Sequence, residues 1–222
     1  MNRLFNFGIE NNIIYVDYKY GLGHLLGESR LSPDKKFSYV NIPKNASSIS
    51  KRLLHNWKFV NFHEEQYQPT FEYIVILRDP TERWVSAIAE YLVGNYSSLG
   101  QLNTELSNSE IYQILESKFF QNLLFDFVIF DGHSLPQSWY LQGLKLDKIK
   151  FFYFDSSTID SIANYVGITK YSNHSANDSL THTKKNIIIR YLTDLLKNNT
   201  KFQKIIDIHY YADHKLFDLV KF

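Results

Sequence analysis

The chain has 222 residues, of which 44% are hydrophobic and 21% are charged, a composition typical of a folded globular protein. Its 24 basic and 23 acidic residues give a formal net charge of +1, so no global field draws it to nucleic acid or to an anionic membrane. The absence of cysteine excludes disulfides, thiolate metal sites and a cysteine nucleophile. Because the N-terminus lacks a signal-peptide pattern and no run approaches the ~20 apolar residues of a membrane span, we expect a cytoplasmic protein without a membrane anchor.

The order of predicted elements indicates an α/β fold. Runs rich in β-branched and aromatic residues predict strands over 13–18, 37–42, 58–62, 73–77 and 150–154. Helical periodicity is present over 47–56, 80–92, 109–130, the stretch after Pro136, 158–166 and most of the C-terminal third. Such alternation predicts a central parallel sheet of about four to five strands covered by helices, in a single domain over 1–222. Ligands of these sheets bind at the carboxyl ends of strands, which directs attention to residues 43–49 and 78–86.

The segment after the strand at 37–42 has the chemistry of a phosphate cradle. Small residues at 46–48 let an oxyanion approach the backbone, serine hydroxyls add donors, and Lys44 adds a mobile positive charge before a predicted helix. A Walker A loop differs, because it needs glycines and a lysine at its end. A capped helix without a ligand has the same small polar residues, so this segment alone admits both interpretations.

The second segment places Arg78 at the end of a strand that is apolar on both faces, and Ser86 two turns into the following helix. Arg78 offers a planar fork of donors, which suits a terminal phosphate. The alternative is an ion pair between Arg78 and Asp79 at the start of the helix, with no ligand.

Together the two segments resemble the sulfotransferase family that uses 3′-phosphoadenosine 5′-phosphosulfate (PAPS), especially its carbohydrate-type branch. In that family a Pro-Lys loop with small and hydroxyl residues binds the 5′-phosphosulfate, and a later R-D-P-x-x-R-x-x-S segment binds the 3′-phosphate. The matching residues are Pro43, Lys44, Ser47 and Ser48 in the first segment and Arg78, Asp79, Pro80, Arg83 and Ser86 in the second. Looser similarities are His133-x-x-Pro136-Gln137 and the near-terminal YYADHKLF.

The sequence departs from the family pattern at two places. Ala46 stands where the family often has glycine, which makes the loop less permissive. The Arg-Lys-Gly segment of cytosolic small-molecule members has no counterpart here. Lys184 and Lys185 are alternative cations for the 3′-phosphate, with a solvated surface as the other interpretation.

The resemblance implies a P-loop-like three-layer fold and a sulfotransferase that moves a sulfuryl group from PAPS, its co-substrate, to a hydroxyl acceptor expected to be a glycan, without a metal. The implied donor-binding residues are Lys44, Asn45, Ala46, Ser47, Ser48, Ile49, Arg78 and Ser86. It also implies acceptor contacts from His133 and Gln137, for which capping of the next helix is the alternative.

Sulfuryl transfer needs charge stabilisation on the leaving oxygen and a base for the attacking hydroxyl. Lys44 is predicted to neutralise the leaving phosphate. The family implies a His or Glu after the strand predicted at 58–62, where His63, Glu64 and Glu65 follow one another. We therefore predict His63 as the base, with Glu64 or Glu65 as the alternative.

Two other function classes remain open from the sequence. A nucleotide- or glycan-binding module would keep Lys44 and Arg78 but needs no base. A nucleotide kinase is the third interpretation, and the missing glycines and Gly-Lys-Ser argue against it.

Overall fold

The computed structural model describes residues 5–18, 28–61, 71–95, 107–126, 128–169 and 179–220. Within these ranges the strands are β1 (Phe5–Glu10), β2 (Ile13–Tyr18), β3 (Glu28–Leu31), β4 (Phe37–Asn41), β5 (Lys58–Asn61), β6 (Glu72–Leu77) and β7 (Ile149–Tyr153). The α-helices are α1 (Ser47–Leu53), α2 (Pro80–Asn95), α3 (Asn108–Glu116), α4 (Lys118–Asp126), α5 (Thr158–Val166), α6 (Ser179–Asn198), α7 (Thr200–His209) and α8 (Tyr211–Val220). Short 3₁₀ turns span Gly132–Ser134, Gln137–Leu141 and Leu146–Lys148.

The described residues divide into two compact units. The first comprises those within 1–80, 136–174 and 210–222, and the second those within 81–135 and 175–209. The single domain over 1–222 stays a prediction, and each unit is described by itself.

The first unit contains a five-stranded mixed sheet in the order β5-β3-β4-β6-β7. Strands β4, β6 and β7 are parallel, whereas β3 runs antiparallel to both of its neighbours. The prediction of an α/β fold with about five strands is therefore confirmed, and the prediction of an all-parallel sheet is wrong. The cause is β3, a strand of four residues that is too short and too polar to show a clear strand pattern in the sequence.

The hydrophobic core of the first unit lies between one face of this sheet and helices α1 and α5. Tyr39 from β4 and Ile74 and Ile76 from β6 are buried there against Leu53 and Ile162 of the two helices. Residues that alternate along a strand point to opposite faces. Accordingly, on β7, Phe152 contacts α5 through Tyr165, and Tyr153 contacts α8 through Phe217.

The predicted strand over 13–18 is confirmed as β2, but it belongs to a separate two-stranded hairpin with β1 and not to the main sheet. Its turn residues Asn11 and Asn12 have φ values of 50° and 66°. A two-residue turn of this type requires positive φ at both positions, which Asn tolerates better than most residues.

The second unit is helical and packs around Trp84 of α2. Its indole Nε1 donates to the carbonyl of Val128 at 2.9 Å, and its ring meets Phe202 of α7 edge to face at 5.5 Å. Phe125 of α4 contacts the same Phe202 ring.

Helix α5 and a mostly helical C-terminal third occur as predicted.

The long helix predicted over 109–130 is instead two helices that are separated at Ser117. This residue is extended, with φ −63° and ψ 143°. Its Oγ donates to the carbonyl of Ile114 at 2.7 Å and accepts from the N–H of Phe120 at 3.2 Å. One hydroxyl thus caps the end of α3 and the start of α4, a competition with helix continuation that periodicity does not reveal.

The helix predicted after Pro136 is only a 3₁₀ turn. The N–H groups of Gln137 and Ser138 donate to the buried carboxylate of Asp213 at 2.7 and 2.8 Å. A contact with a residue far along the chain therefore decides the local backbone conformation.

The other predicted elements occur with ends shifted by a few residues, since α1 ends at Leu53 and β7 begins at Ile149. Among the described helices, none combines the length and the apolar character needed to cross a bilayer.

Candidate functional site

The two segments singled out in the sequence meet at one edge of the sheet. The loop of residues 42–46 follows β4, and Arg78 follows β6, its parallel neighbour. The carboxyl ends of adjacent parallel strands share an edge, which is where ligands of α/β sheets bind. We call the residues 43–48 the cradle loop.

The cradle loop has an alternating backbone conformation. Lys44 and Ala46 have φ values of 68° and 57°, in the left-handed region, whereas Asn45 between them does not. Left-handed geometry costs about 1–2 kcal/mol for a residue with a Cβ. The loop therefore keeps a left-handed backbone at two positions without any glycine, and the N–H of Asn45 between them donates to the carbonyl of Ile42 at 3.2 Å.

The first turn of α1 has no side-chain cap, because its N-cap residue is Ala46. The N–H groups of Ile49 and Ser50 donate to the Ala46 carbonyl at 3.0 and 2.9 Å. The N–H groups of Ser47 and Ser48 have no acceptor within the helix, because the first N–H groups of any α-helix lack one. Ser48 is exposed, and Ser47 is half-buried.

Two of the predicted donor-binding residues have a packing role in this loop. The side chains of Ala46 and Ile49 lie against the core cluster formed by the sheet, α1 and α5. The N–H of Ile49 is already used within the helix. Any ligand contact from Ala46 must therefore come from its backbone, and Ile49 serves the fold.

Arg78 is held by contacts with two other strand ends. Its Nη1 donates to the carbonyl of Lys44 at 3.3 Å, and its guanidinium carbon lies 4.7 Å from the centroid of the Phe154 ring. Phe154 follows β7 and its side chain is 39% exposed, which is high for a phenylalanine. Phe154 could not be singled out from the sequence, because an aromatic residue at a strand end gives no signal that distinguishes it from a core residue.

Asn45 joins the cradle loop to β6 and to the 3₁₀ turn. Its Nδ2 donates to the carbonyl of Ile76 at 2.6 Å and to Oε1 of Gln137 at 2.8 Å. The side chain is completely buried, and its Oδ1 receives no hydrogen bond from the described residues. The N–H of Asn45 donates to the Ile42 carbonyl at 3.2 Å, and an amide oxygen can only accept, so these contacts bind Asn45 within the protein. Its contact with the nucleotide stays a prediction.

Gln137 lies beside the cradle loop and Arg78. It is completely buried, and its carboxamide exchanges two hydrogen bonds with the backbone of Arg78 while it accepts from Asn45. These contacts give Gln137 a structural role at the cradle loop, and its acceptor contact stays a prediction.

His133 belongs to the second unit and is exposed there. Asp131 caps the 3₁₀ turn, accepting from the N–H of His133 at one carboxylate oxygen and contacting its Nδ1 at 2.9 Å with the other. His133 thus lies inside a turn that Asp131 caps, and the next 3₁₀ turn has Pro136 as its N-cap residue. The acceptor contact of His133 stays a prediction.

Other predicted cations and hydroxyls of the second unit are engaged in its own packing. Ser86 is buried in α2. Arg83 is completely buried and donates to the carbonyl of Leu135, and Lys185 forms an ion pair with Glu90. The donor-binding role of Ser86 stays a prediction.

The predicted base, His63, and its alternatives Glu64 and Glu65 lie outside the described residues. The described strand nearest to them in sequence is β5, which ends at Asn61. Their roles therefore stay predictions.

Tyr39 of β4 and Tyr153 of β7 stay neutral at physiological pH. Burial raises the pKa of Tyr39 to about 12, and burial also raises the pKa of Tyr153.

Within the described ranges, no group of three or more His, Asp or Glu side chains is arranged to hold a metal ion.

Comparison of this chain with protein-family models, with curated proteins and with solved structures finds no match.

Proposed function

We propose that this chain is a PAPS-dependent sulfotransferase that transfers a sulfuryl group to a hydroxyl acceptor, with a glycan as the expected acceptor class. The observation that supports this proposal most is the meeting of two segments that the resemblance assigns to one nucleotide. Arg78 donates to the carbonyl of Lys44, although the two residues are separated by 34 positions. Each segment alone is ambiguous. Their contact brings two candidate phosphate-binding groups to one edge of the sheet, and a nucleotide with two phosphate positions requires such a pair.

The proposed donor site divides the charges of the nucleotide between two cations. Lys44 and the cradle-loop amides hold the 5′-phosphosulfate, and Arg78 binds the 3′-phosphate through its planar fork. The Phe154 ring and the Lys44 carbonyl fix that fork before the ligand arrives, so less conformational entropy is lost on binding.

The proposed reaction moves one group in a single displacement. The acceptor hydroxyl oxygen forms a bond to sulfur, while the bond from sulfur to the bridging oxygen of the phosphosulfate breaks. The electron pair leaves with adenosine 3′,5′-bisphosphate, where Lys44 stabilises the developing charge. The acceptor proton goes to the base, for which His63 is the proposed residue.

Calorimetric titration tests this proposal against its alternatives. We expect adenosine 3′,5′-bisphosphate to bind more tightly than ATP with magnesium. Tighter binding of ATP with magnesium would instead support a kinase. If the bisphosphate binds but labelled PAPS transfers no sulfuryl group to any member of a hydroxyl-acceptor panel, the chain is a binding module.

A further inference from the structure

A buried carboxylate in the C-terminal helix contacts the turn beside the cradle loop. Asp213 of α8 is completely buried and lies 76 positions beyond Gln137. Its Oδ2 accepts from the N–H of Gln137 at 2.7 Å, and its Oδ1 accepts from the N–H and Oγ of Ser138 at 2.8 and 2.6 Å. Both carboxylate oxygens thus hold the beginning of the same 3₁₀ turn.

The turn passes this constraint on through the side chain of Gln137. Its Oε1 accepts from the N–H of Arg78 at 3.2 Å, and its Nε2 donates to the Arg78 carbonyl at 2.7 Å. A backbone N–H only donates and a carbonyl only accepts, so this pair fixes which end of the carboxamide is oxygen. The contact with Asn45 agrees with this assignment, because Nδ2 of Asn45 donates to Oε1 at 2.8 Å.

These contacts form a continuous chain from α8 to both segments of the proposed donor site. One carboxamide is bonded to Asn45 in the cradle loop and to Arg78 after β6, and Asp213 sets the position of the backbone that carries it. The distance between the cradle loop and Arg78 decides whether one ligand can reach both, since a misplacement of about 1 Å at a binding group has large effects.

We infer that Asp213 is a positioning residue for nucleotide binding, acting through Gln137 on Asn45 and Arg78. The inference rests on the proposed function for the identity of the ligand. If Asp213 only stabilised the fold, its replacement would lower the stability but would leave the nucleotide affinity of the folded protein unchanged.

Three substitutions separate positioning from stability. Gln137→Met keeps the backbone N–H that Asp213 binds but removes both carboxamide contacts. Asp213→Asn keeps the shape of the side chain but must set its NH₂ group against one of the two backbone N–H donors. Ser138→Ala removes one hydrogen bond from the same carboxylate and leaves its contact with Gln137, so it is the matched control.

The experiment compares affinity for adenosine 3′,5′-bisphosphate with thermal stability, at a temperature where all variants are folded. We expect Gln137→Met and Asp213→Asn to weaken binding at least ~10-fold, the effect of losing a well-placed hydrogen bond to a binding group. Ser138→Ala should lower the melting temperature while its affinity stays within ~2-fold of the wild type. If Asp213→Asn does not fold, Gln137→Met still tests the connection to the site. Wild-type affinity in Gln137→Met, or an equal loss in Ser138→Ala, would overturn the inference.

Hydrogen exchange provides a readout that needs no ligand. The N–H of Arg78 donates to Gln137, so Gln137→Met and Asp213→Asn should speed its exchange, whereas Ser138→Ala should leave it slow. Failure of the wild type to bind the bisphosphate would refute the proposed function alone. Unchanged exchange at Arg78 in both variants would refute the positioning role, whatever the ligand is.

Discussion

The guanidinium of Arg78 lies 4.7 Å from the ring centroid of Phe154 while its Nη1 donates to the Lys44 carbonyl. A cation placed over an aromatic ring gains about 0.5–1 kcal/mol at an exposed site. The two contacts come from the ends of β4 and β7, the strands on either side of β6. The fork of Arg78 is therefore oriented by its neighbours on both sides, which agrees with the phosphate-binding role proposed for it.

Replacing Lys44 should affect catalysis more than donor binding. Lys44→Met keeps most of the side-chain length but removes the charge that is proposed to stabilise the leaving phosphate, so we expect turnover to fall about 10²–10³-fold. The affinity for adenosine 3′,5′-bisphosphate should fall much less, because the charge on the leaving oxygen develops in the transition state.

Lys35→Met is the matched control for this change. Lys35 is exposed in the turn between β3 and β4 and has φ 56°, close to the value at Lys44. We expect near wild-type steady-state kinetics for it. A loss in Lys44→Met that appears equally in affinity and in turnover would show that Lys44 binds the ground state as strongly as the transition state.

Replacing His63 tests the proposed base. Removal of a general base typically slows a reaction by ~10²–10⁴-fold, so His63→Ala should lose at least ~100-fold in turnover while donor binding and folding are retained. Glu64→Ala should lose much less, since neighbouring residues on an extended segment point in opposite directions. Single-turnover rates measure both, and an active His63→Ala with an inactive Glu64→Ala or Glu65→Ala would assign the base to the carboxylate.

Gly167→Ala should destabilise the protein through its backbone alone. Gly167 ends α5 with φ 76°, and a Cβ added there would meet no atom within 4 Å. The expected loss is therefore the left-handed cost of about 1–2 kcal/mol, measured by urea unfolding. Gly167→Asn is the control and should lose less, because Asn tolerates this conformation. Equal stability of Gly167→Ala and the wild type would contradict the assigned conformation.

Stability should decrease in acid partly because of His209. Burial lowers the pKa of this histidine at the end of α7, and its Nδ1 has no hydrogen-bond partner among the described residues. When the folded pKa of a histidine is depressed, the unfolded state takes up the proton first, so stability is present above the unfolded pKa of ~6.5 and is lost as the pH falls below it. Urea unfolding at pH 7.5 and 5.5 should show a smaller loss in His209→Gln than in the wild type. An identical pH dependence would exclude His209 as a contributor.

The sequence was sufficient to predict that Lys44 and Arg78 lie at the same edge of the sheet. Lys44 and Arg78 each follow a run of apolar β residues, and parallel order brings the ends of such runs to one edge. The left-handed conformation at Ala46 was less evident, because alanine seldom adopts it and only the resemblance placed a glycine-like position there.

The contacts that hold the site together were not predictable from local patterns. Gln137 reaches Asn45 across 92 positions, and Asp213 reaches Gln137 across 76. Periodicity describes which face of an element is buried, not which distant polar group a buried side chain meets. The sequence similarity of the YYADHKLF segment was the available signal for Asp213, but it carried no information on what that residue binds.

The measurement that tests the central claim most directly is a calorimetric comparison of two nucleotides on the wild type and on Arg78→Ala. Adenosine 3′,5′-bisphosphate carries the 3′-phosphate that Arg78 is proposed to bind, and adenosine 5′-phosphosulfate lacks it. We predict that Arg78→Ala weakens bisphosphate binding by ~1.5–3 kcal/mol, the range for a hydrogen bond to a charged group, and leaves binding of the phosphosulfate nearly unchanged. Equal losses for the two ligands would contradict the account and would give Arg78 a purely structural role.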